Sequence, residues 1–266
     1  MQSLPKLVLF DIDGTLLDHA SQIPASTKEA VALLQAAGVH TAIATGRTPS
    51  DFTWVCEELG IHSYVSINGQ YVVHEGAVIY ENRMPVDLLS ELSAFAGDAG
   101  HMTAYCGAGK VCVSRPAEPH LEAGFASVNL PYPEVDPDYY RHSPVYQGNI
   151  FMRAEEEALY ISRFPSLRFI RWHEQAVDFL PAASSKAAGL VHLLQAFGVA
   201  YEDCAAFGDG LNDLEMLSAV GIGIAMGNGC PEAKKAANYV TASSSEHGIW
   251  SALQWLGLPQ PAYLVR

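Results

Sequence analysis

The sequence predicts an α/β protein in which a doubly wound parallel sheet is interrupted by an inserted α+β domain. Short, continuous apolar runs alternate with helical patterns near both ends of the 266-residue chain. Such runs are typical of strands that a parallel sheet buries on both faces. The middle of the chain instead mixes hairpins, short strands and proline-rich turns. A chain of this length is comfortable for two domains.

The first part of the chain alternates strand and helix, and glycines mark the expected helix ends. A capping box is predicted at 26–29, where Ser and Thr precede Glu. The predicted elements are a strand at Leu7–Phe10, a helix from that capping box to Gly38, a strand at 39–44, a helix at 51–59 that Gly60 stops, and a strand at 64–67.

The pattern changes after Gly69 and returns to α/β at Ser184. A hairpin is predicted at 71–80, and the inserted stretch carries a helix at 86–99 and strands at 110–114, 149–153 and 176–180. The later α/β elements are a helix from a Ser184 or Ser185 cap to Phe197, a strand at 204–207, a helix at 212–219 and a strand at 221–225. We therefore expect a core of residues 1–83 and 183–266 and an inserted domain of residues 84–182.

Composition narrows the choice of partners and compartment. The formal net charge is −14, and the 15 Lys and Arg residues form no basic run, so nucleic acid and anionic membrane are poor partners. The five cysteines form no C-x-x-C pair, which fits reduced thiols in the cytoplasm. No apolar stretch has the length of a signal peptide or a membrane span. The sequence leaves the oligomeric state open.

Acidic residues follow two of the predicted core strands. Asp11 and Asp13 come directly after the first strand, and Asp209 and Asp213 follow the strand at 204–207. Open α/β sheets bind ligands at the carboxyl ends of their strands, so these carboxylates are expected to meet there. Mg²⁺ is the natural ion to offset their repulsion. The alternatives are an ordinary acidic turn and helix capping at 212–213.

Two further segments offer ligands for a phosphate. Thr45 and Gly46 follow the second strand, where a hydroxyl and backbone N–H groups can hold a phosphate oxygen. Lys186 lies in the first turn of a predicted helix, where a cation opposes the helix dipole and therefore needs another reason to be present. Binding phosphate or Asp11 supplies that reason. Ordinary turn residues and a solvated lysine remain the alternatives.

The order of these segments resembles the four motifs of the haloacid dehalogenase (HAD) superfamily. The sequence reads DIDGT at 11–15, TGR at 45–47, Lys186 at a helix start, and GDGLND at 208–213. Residues 68–69, 227–228 and 246–249, together with the position of the insertion, resemble the Cof-type subfamily with a C2 cap. The resemblance implies a Rossmann-like core with a cap domain, and it covers essentially the whole chain.

The resemblance also implies roles for individual residues. Asp11 resembles the nucleophile, and Asp13 the general acid and base. Thr45, Gly46, Lys186 and Asn212 resemble phosphate ligands, with Asn212 contacting either the phosphate or Lys186. Mg²⁺ would be bound by Asp11, the backbone carbonyl of Asp13 and Asp209, with Asp213 supporting it through water. The chain departs from the subfamily pattern in having Gln70 and Ala187 where Ala and Gly are common.

The expected activity is Mg²⁺-dependent hydrolysis of small phosphorylated metabolites, such as sugar phosphates, through a phospho-aspartyl intermediate. An acid at Asp13 favours a phosphatase over a dehalogenase, because a dehalogenase has no alkoxide to protonate. Two alternatives stay open at this stage. One is a phosphomutase, which would use the same two aspartates, and the other is a non-catalytic metabolite-binding protein on the same scaffold.

Overall fold

The computed structural model describes residues 4–116 and 132–258, which divide into two compact units. The first unit comprises Met1–Arg47, Asp51–Tyr80 and Ser185–Arg266, and the second comprises Thr48–Ser50 and Glu81–Ser184. Part of the expected insertion, 117–131, and the end of the expected core, 259–266, lie outside the described residues.

Strands and helices alternate through most of the chain. The strands are β1 (Leu7–Phe10), β2 (His40–Ala44), β3 (Tyr64–Ser66), β4 (Tyr71–His74), β5 (Ala77–Glu81), β6 (Met102–Cys106), β7 (Val111–Val113), β8 (Glu134–Val135), β9 (Gln147–Phe151), β10 (Leu167–His173), β11 (Ala176–Pro181), β12 (Cys204–Gly208), β13 (Ile222–Ala225) and β14 (Tyr239–Val240). The helices are α1 (Ala25–Ala36), α2 (Pro49–Leu59), α3 (Val86–Asp98), α4 (Tyr139–His142), α5 (Glu157–Arg163), α6 (Lys186–Phe197), α7 (Leu214–Ala219), α8 (Pro231–Ala236) and α9 (Gly248–Trp255). Within the described residues, no helix combines the length and the apolar character that crossing a bilayer requires.

The first unit is built on an eight-stranded sheet in the order β14-β13-β12-β1-β2-β3-β4-β5. The strands from β14 to β3 run parallel, and β4 pairs antiparallel with β3. Every residue of β1 is fully buried, because helices cover both faces of the sheet. Val8 and Phe10 pack on one face with α1 and α2, and Leu7 and Leu9 pack on the other with α6. The predicted α/β fold class is confirmed.

The position of β1 explains where a ligand site can form. Its neighbours are β2, which follows it in the chain, and β12, which comes after the second unit. The chain thus leaves β1 in one direction and returns on its other side, which makes β1 the switch point of the sheet. In open α/β sheets the crevice at such a point, at the carboxyl ends of the strands, is where ligands bind.

The second unit has its own sheet and core. Its six strands run in the order β10-β11-β9-β6-β7-β8, and all neighbours are antiparallel except β7 and β8. Its buried residues include Tyr105, Tyr160 and Phe179, which lie in one cluster with side chains of α3. The helix and three strands expected here are present, whereas the sequence does not predict β6, β8 and β10 or the short helices α4 and α5.

The expected capping box at 26–29 is wrong, because α1 begins one residue before it. Pro24 occupies the N-cap with ψ 145°, and its carbonyl accepts from the N–H groups of Thr27 and Lys28. Ser26 therefore lies inside the first turn, and its Oγ is hydrogen bonded to Nδ1 of His247 at 2.8 Å. Proline has a φ suited to this position and cannot supply a capping side chain.

The start of α6 is as expected, and a close backbone approach fixes its position. Ser185 is the N-cap, and its Oγ accepts from the N–H of Ala188 at 3.1 Å. Gly69 adopts φ 93°, and a Cβ there would lie 2.0 Å from the carbonyl oxygen of Ser185. A Cβ on Gly189 would lie 2.6 Å from Cα of Gly69. Only glycines allow the loop after β3 and the first turn of α6 to approach this closely.

We expect Gly69→Ala to destabilise the protein by about 3 kcal/mol or more, because it adds a backbone clash to an unfavourable positive φ. Gly38→Ala is the matched control, since Gly38 has φ 78° with no atom within 4 Å of the added Cβ. It should cost about 1 kcal/mol. Urea unfolding monitored by circular dichroism measures both variants, and equal losses would contradict the close approach.

Candidate active site

A buried lysine joins two of the predicted acidic residues. Nζ of Lys186 donates to Oδ1 of Asp11 at 2.5 Å and to Oδ1 of Asp213 at 2.7 Å. The side chains of Lys186 and Asp213 are fully buried, and that of Asp11 is 8% exposed. A lysine opposed by the helix dipole in the first turn of α6 is stabilised here by two carboxylates. The interpretation of Lys186 as a solvated side chain is thereby excluded.

Asp213 also shapes the loop that follows β12. Its Oδ2 accepts from the backbone N–H groups of Asp209 and Gly210, each at 2.9 Å. Together with Lys186, three donors hold this one carboxylate. Asp213 therefore positions both the ammonium and the backbone that carries Asp209.

The Asp209 carboxylate lies against the turn that follows Asp11. Oγ1 of Thr15 donates to Oδ1 of Asp209 at 3.3 Å. Gly14 adopts φ 72°, and a Cβ there would lie 2.3 Å from Oδ2 of Asp209. Glycine thus provides both the left-handed backbone and the space that this approach requires. The register explains the meeting, because β1 and β12 pair Phe10 with Phe207 at the ends of adjacent strands.

The cluster carries more negative than positive charge. Oxygen atoms of Asp11, Asp209 and Asp213 all lie within 4.8 Å of one another. Three carboxylates with the single ammonium of Lys186 leave a formal excess of two negative charges. An excess of negative charge among buried side chains favours binding of a divalent cation.

The pKa values of the cluster reflect burial and this excess. Burial, together with the charge of Asp213, raises the pKa of Asp209 from its ordinary 3.8 to about 6. Burial likewise raises the pKa of Asp11, although Lys186 opposes the shift. Burial lowers the pKa of Lys186, but Asp11 and Asp213 more than offset it and hold the pKa above its ordinary value. The ammonium is therefore charged at neutral pH.

Asp13 lies outside this cluster and has its own partner. Arg47 donates from Nε to Oδ2 of Asp13 at 2.8 Å and from Nη2 to Oδ1 at 2.6 Å, a forked pair. The Asp13 side chain is 60% exposed, whereas that of Arg47 is 18% exposed. The sequence placed Arg47 in the motif after the second strand but did not indicate this pairing.

The remaining predicted phosphate ligands lie in loops next to the cluster. Thr45 follows β2, the strand beside β1, and its Oγ1 accepts from the N–H of Arg47 at 3.1 Å. Asn212 donates from Nδ2 to Oδ1 of Asn68 at 3.2 Å. A Cβ on Gly46 would lie 3.1 Å from that same oxygen, so Asn68 joins the loops that carry Gly46 and Asn212. The sequence does not predict Asn68 as a site residue, although residues 68–69 form part of the resemblance to the Cof-type subfamily.

The residues present fit a hard divalent cation. Asp11, Asp209 and Asp213 offer only oxygen ligands, which Mg²⁺ prefers over the nitrogen and sulfur ligands suited to zinc. Asp213 already accepts from three donors, so Asp11 and Asp209 are the better direct ligands.

Comparison with known proteins identifies the family to which this fold and this site belong. The family model for haloacid dehalogenase-like hydrolases matches residues 8–253. The chain therefore belongs to this family. The predicted membership of the HAD superfamily, as a Cof-type phosphatase, is confirmed.

Three similar proteins cover almost the whole chain. YkrA of Bacillus subtilis (strain 168), whose name describes it as a candidate phosphatase, is 42% identical over 253 residues, or 95% of this chain and 98% of YkrA. A hypothetical protein of Geobacillus kaustophilus HTA426 has a crystal structure with 46% identity and a TM-score of 0.91, covering 96% of this chain and 100% of that chain. The HAD subclass IIB sugar phosphatase BT4131 is 30% identical with a TM-score of 0.85, covering 96% of this chain and 100% of BT4131.

These relatives identify the chain as a phosphoric monoester hydrolase. The prediction that it is an enzyme is confirmed, and the alternative of a non-catalytic binding protein is set aside.

We expect Lys186→Met to destabilise the protein by about 3–5 kcal/mol at pH 7 without divalent ions, because two buried carboxylates lose their counter-charge. Lys28→Met is the matched control, since Lys28 forms an ion pair with Glu58 in which both side chains are well exposed. It should cost less than about 1 kcal/mol. Urea unfolding in EDTA measures both, and similar losses would show that the Lys186 cluster contributes no special stability.

The raised pKa of Asp209 predicts a pH dependence for the metal-free protein. A carboxyl whose pKa is about 6 when folded and 3.8 when unfolded binds its proton more tightly in the folded state. Stability should therefore fall as the pH rises from about 4 through 6. Thermal melting in EDTA measures this fall, which Asp209→Asn should reduce and Mg²⁺ should offset at pH 7. A slope unchanged by Asp209→Asn would contradict the assignment.

Proposed function

We propose that the enzyme hydrolyses phosphate monoesters of small metabolites, such as sugar phosphates, with Mg²⁺ and through a phospho-aspartyl intermediate on Asp11. The observation that carries the proposal is the buried Lys186 ammonium, which joins Asp11 to Asp213 beside Asp209. The proposed nucleophile thus lies next to positive charge at the switch point of the sheet. The similarity to the sugar phosphatase BT4131 supports the substrate class.

Mg²⁺ would be held by the carboxylates of Asp11 and Asp209 and by the backbone carbonyl of Asp13, with Asp213 supporting the site through water. When bound, the ion would neutralise charge on the phosphoryl oxygens and on the carboxylates. The formal excess of two negative charges in the cluster supports a divalent ion over a monovalent one.

Asp11 is the proposed nucleophile. Lys186 holds its Oδ1, so we assign the attack to Oδ2. Oδ2 forms a bond to phosphorus while the bond from phosphorus to the ester oxygen breaks, and that oxygen leaves with the electron pair. In the second step a water oxygen attacks phosphorus, the bond to Asp11 breaks, and orthophosphate is released. Covalent catalysis thus divides one slow hydrolysis into two displacements.

Asp13 is the proposed acid and base for these two steps. In the first step its carboxyl proton goes to the leaving alkoxide, and in the second its carboxylate takes a proton from the attacking water. The forked pair with Arg47 occupies both oxygens of Asp13. Arg47 thereby orients the carboxyl group that would exchange these protons.

Four residues are the proposed ligands of the phosphate. Two of the three N–H donors of Lys186 go to Asp11 and Asp213, and we direct the third at a phosphate oxygen. The Thr45 hydroxyl, the Gly46 N–H and the Asn212 amide supply the remaining hydrogen bonds. Fixed donors of this kind stabilise the charge of a transferring phosphoryl group without having to reorganise.

The proposal extends to the second unit and to the cellular setting. We assign residues 84–182 the role of a C2-type cap that selects the part of the substrate beyond the phosphate. The acidic net charge supports a cytoplasmic enzyme acting on a small phosphorylated metabolite, and so do the five cysteines, which lie in the described ranges and form no disulfide there. Nucleic acid and membranes are not among the proposed partners.

We expect orthophosphate release from a panel of sugar and polyol phosphates that depends on Mg²⁺ and stops in EDTA. Asp11→Asn should lower kcat by at least about 10³-fold, because the amide is a poor nucleophile. A colorimetric phosphate assay measures both. Wild-type enzyme without activity over the whole panel, or Asp11→Asn with equal activity, would contradict the proposal.

An isotope experiment on the same substrates distinguishes hydrolysis from transfer of the phosphoryl group within one substrate molecule. Turnover in ¹⁸O-labelled water should place one ¹⁸O in each released orthophosphate, since water attacks phosphorus in the second step. A phosphomutase would instead return the phosphoryl group to an isomer of its substrate without releasing orthophosphate.

Asp13→Asn should lower kcat for orthophosphate release by about 10²–10⁴-fold, which is the usual contribution of a general acid.

A further inference from the structure

We propose that Asn228 is a positioning residue that sets the affinity of the site for its divalent cation. It does so by tying the Asp209 carboxylate to the turn after Asp11. The inference rests on the proposed Mg²⁺ site and concerns a residue outside the ligand set. Asn228 follows β13, whereas the proposed ligands of the ion follow β1 and β12.

The Asn228 amide contacts three groups on different segments. Its Nδ2 donates to the carbonyl oxygen of Gly14 at 2.8 Å and lies 3.5 Å from Oδ2 of Asp209. Its Oδ1 accepts from the N–H of Ser244 at 2.9 Å. Since one end faces a donor and the other faces two acceptors, the orientation of the amide is determined. The Nδ2 end is thereby directed at the turn and at Asp209.

The backbone around Asn228 fixes its distance from Asp209. The N–H of Cys230 donates to the carbonyl oxygen of Asp209 at 2.9 Å, so the loop after β13 is bonded to the loop after β12. A Cβ on Gly14 would lie 3.0 Å from Nδ2 of Asn228 and 2.3 Å from Oδ2 of Asp209. The three groups therefore meet at one point, and a shift of one loop would separate them.

Each oxygen of the Asp209 carboxylate thus has its own uncharged hydrogen-bond donor. Thr15 donates to Oδ1, and the Asn228 amide lies beside Oδ2. Both donors orient the carboxylate without adding positive charge that would compete with a cation. Residues that orient metal ligands in this way typically contribute 10–100-fold to metal affinity or activity.

The contact with Gly14 also orients the turn that follows Asp11. In a trans peptide, the carbonyl of one residue and the N–H of the next point in opposite directions. By holding the Gly14 carbonyl, Asn228 also sets the direction of the Thr15 N–H in the turn after Asp11. One amide therefore aligns the metal ligand Asp209 and the backbone that follows the nucleophile.

Asn228→Ala should weaken Mg²⁺ binding by about 10–100-fold, measured by isothermal titration without substrate. Asn238→Ala is the matched control, because Asn238 is another exposed asparagine whose Oδ1 accepts a backbone N–H, from Gly223 at 2.6 Å. Its loss should leave Mg²⁺ affinity within about twofold. A Kd within twofold of wild type in Asn228→Ala would overturn the proposal.

Asn228→Ser provides a milder truncation should the alanine variant fold poorly. Its hydroxyl is too short to span both Gly14 and Asp209, so the same loss of affinity is expected. With phosphate release as the readout, the Mg²⁺ concentration for half-maximal rate should rise and kcat at saturating Mg²⁺ should change much less. An unchanged Mg²⁺ requirement with lower kcat would contradict positioning. The titration needs no substrate, so it remains valid even if the proposed phosphatase activity is absent.

Discussion

The site depends on one buried ammonium held between two carboxylates. Removing charges from water costs several kcal/mol per ion, and only close pairing with further hydrogen bonds offsets that cost. Lys186 meets this condition because α6 begins against the loop after β3, where Gly69 approaches the carbonyl of Ser185. A bulkier residue in that loop would move the helix start and with it the ammonium. The electrostatics of the site thus depends on a backbone contact that carries no charge itself.

The same cluster is a source of instability that function explains. Three carboxylates share one ammonium, and burial raises the pKa of both Asp11 and Asp209. A protein selected for stability alone would replace one of the acids with a neutral residue. A cluster that keeps all three acids can bind a cation more strongly than a cluster without net charge. The free energy of that binding stabilises the folded state when the ion is bound. Under the proposed function, stability and activity would depend on the same ion.

The sequence was informative where strand order alone decides the geometry. The sequence could predict that Asp11 and Asp209 meet, because parallel strands end at one edge of the sheet. It could also predict that Lys186 lies with them, because a lysine at a helix start requires a partner. The fork between Arg47 and Asp13 and the contacts of Asn228 could not be predicted, since they depend on side-chain directions across loops distant in sequence. The capping box at 26–29 failed for a local reason, because Pro24 takes the N-cap position and the helix begins at Ala25, one residue before the predicted box.

The two aspartates of the first motif differ in a way that matches different tasks. Asp11, the proposed nucleophile, is buried and held by Lys186, which suits an attack along one line. Asp13 is 60% exposed and is bound by a guanidinium whose own side chain is largely covered. The proposed acid and base must exchange protons with both substrate and water, and the exposure of Asp13 allows both to approach. The structure thus holds a buried carboxylate bound by lysine and an exposed carboxylate bound by arginine only two residues apart.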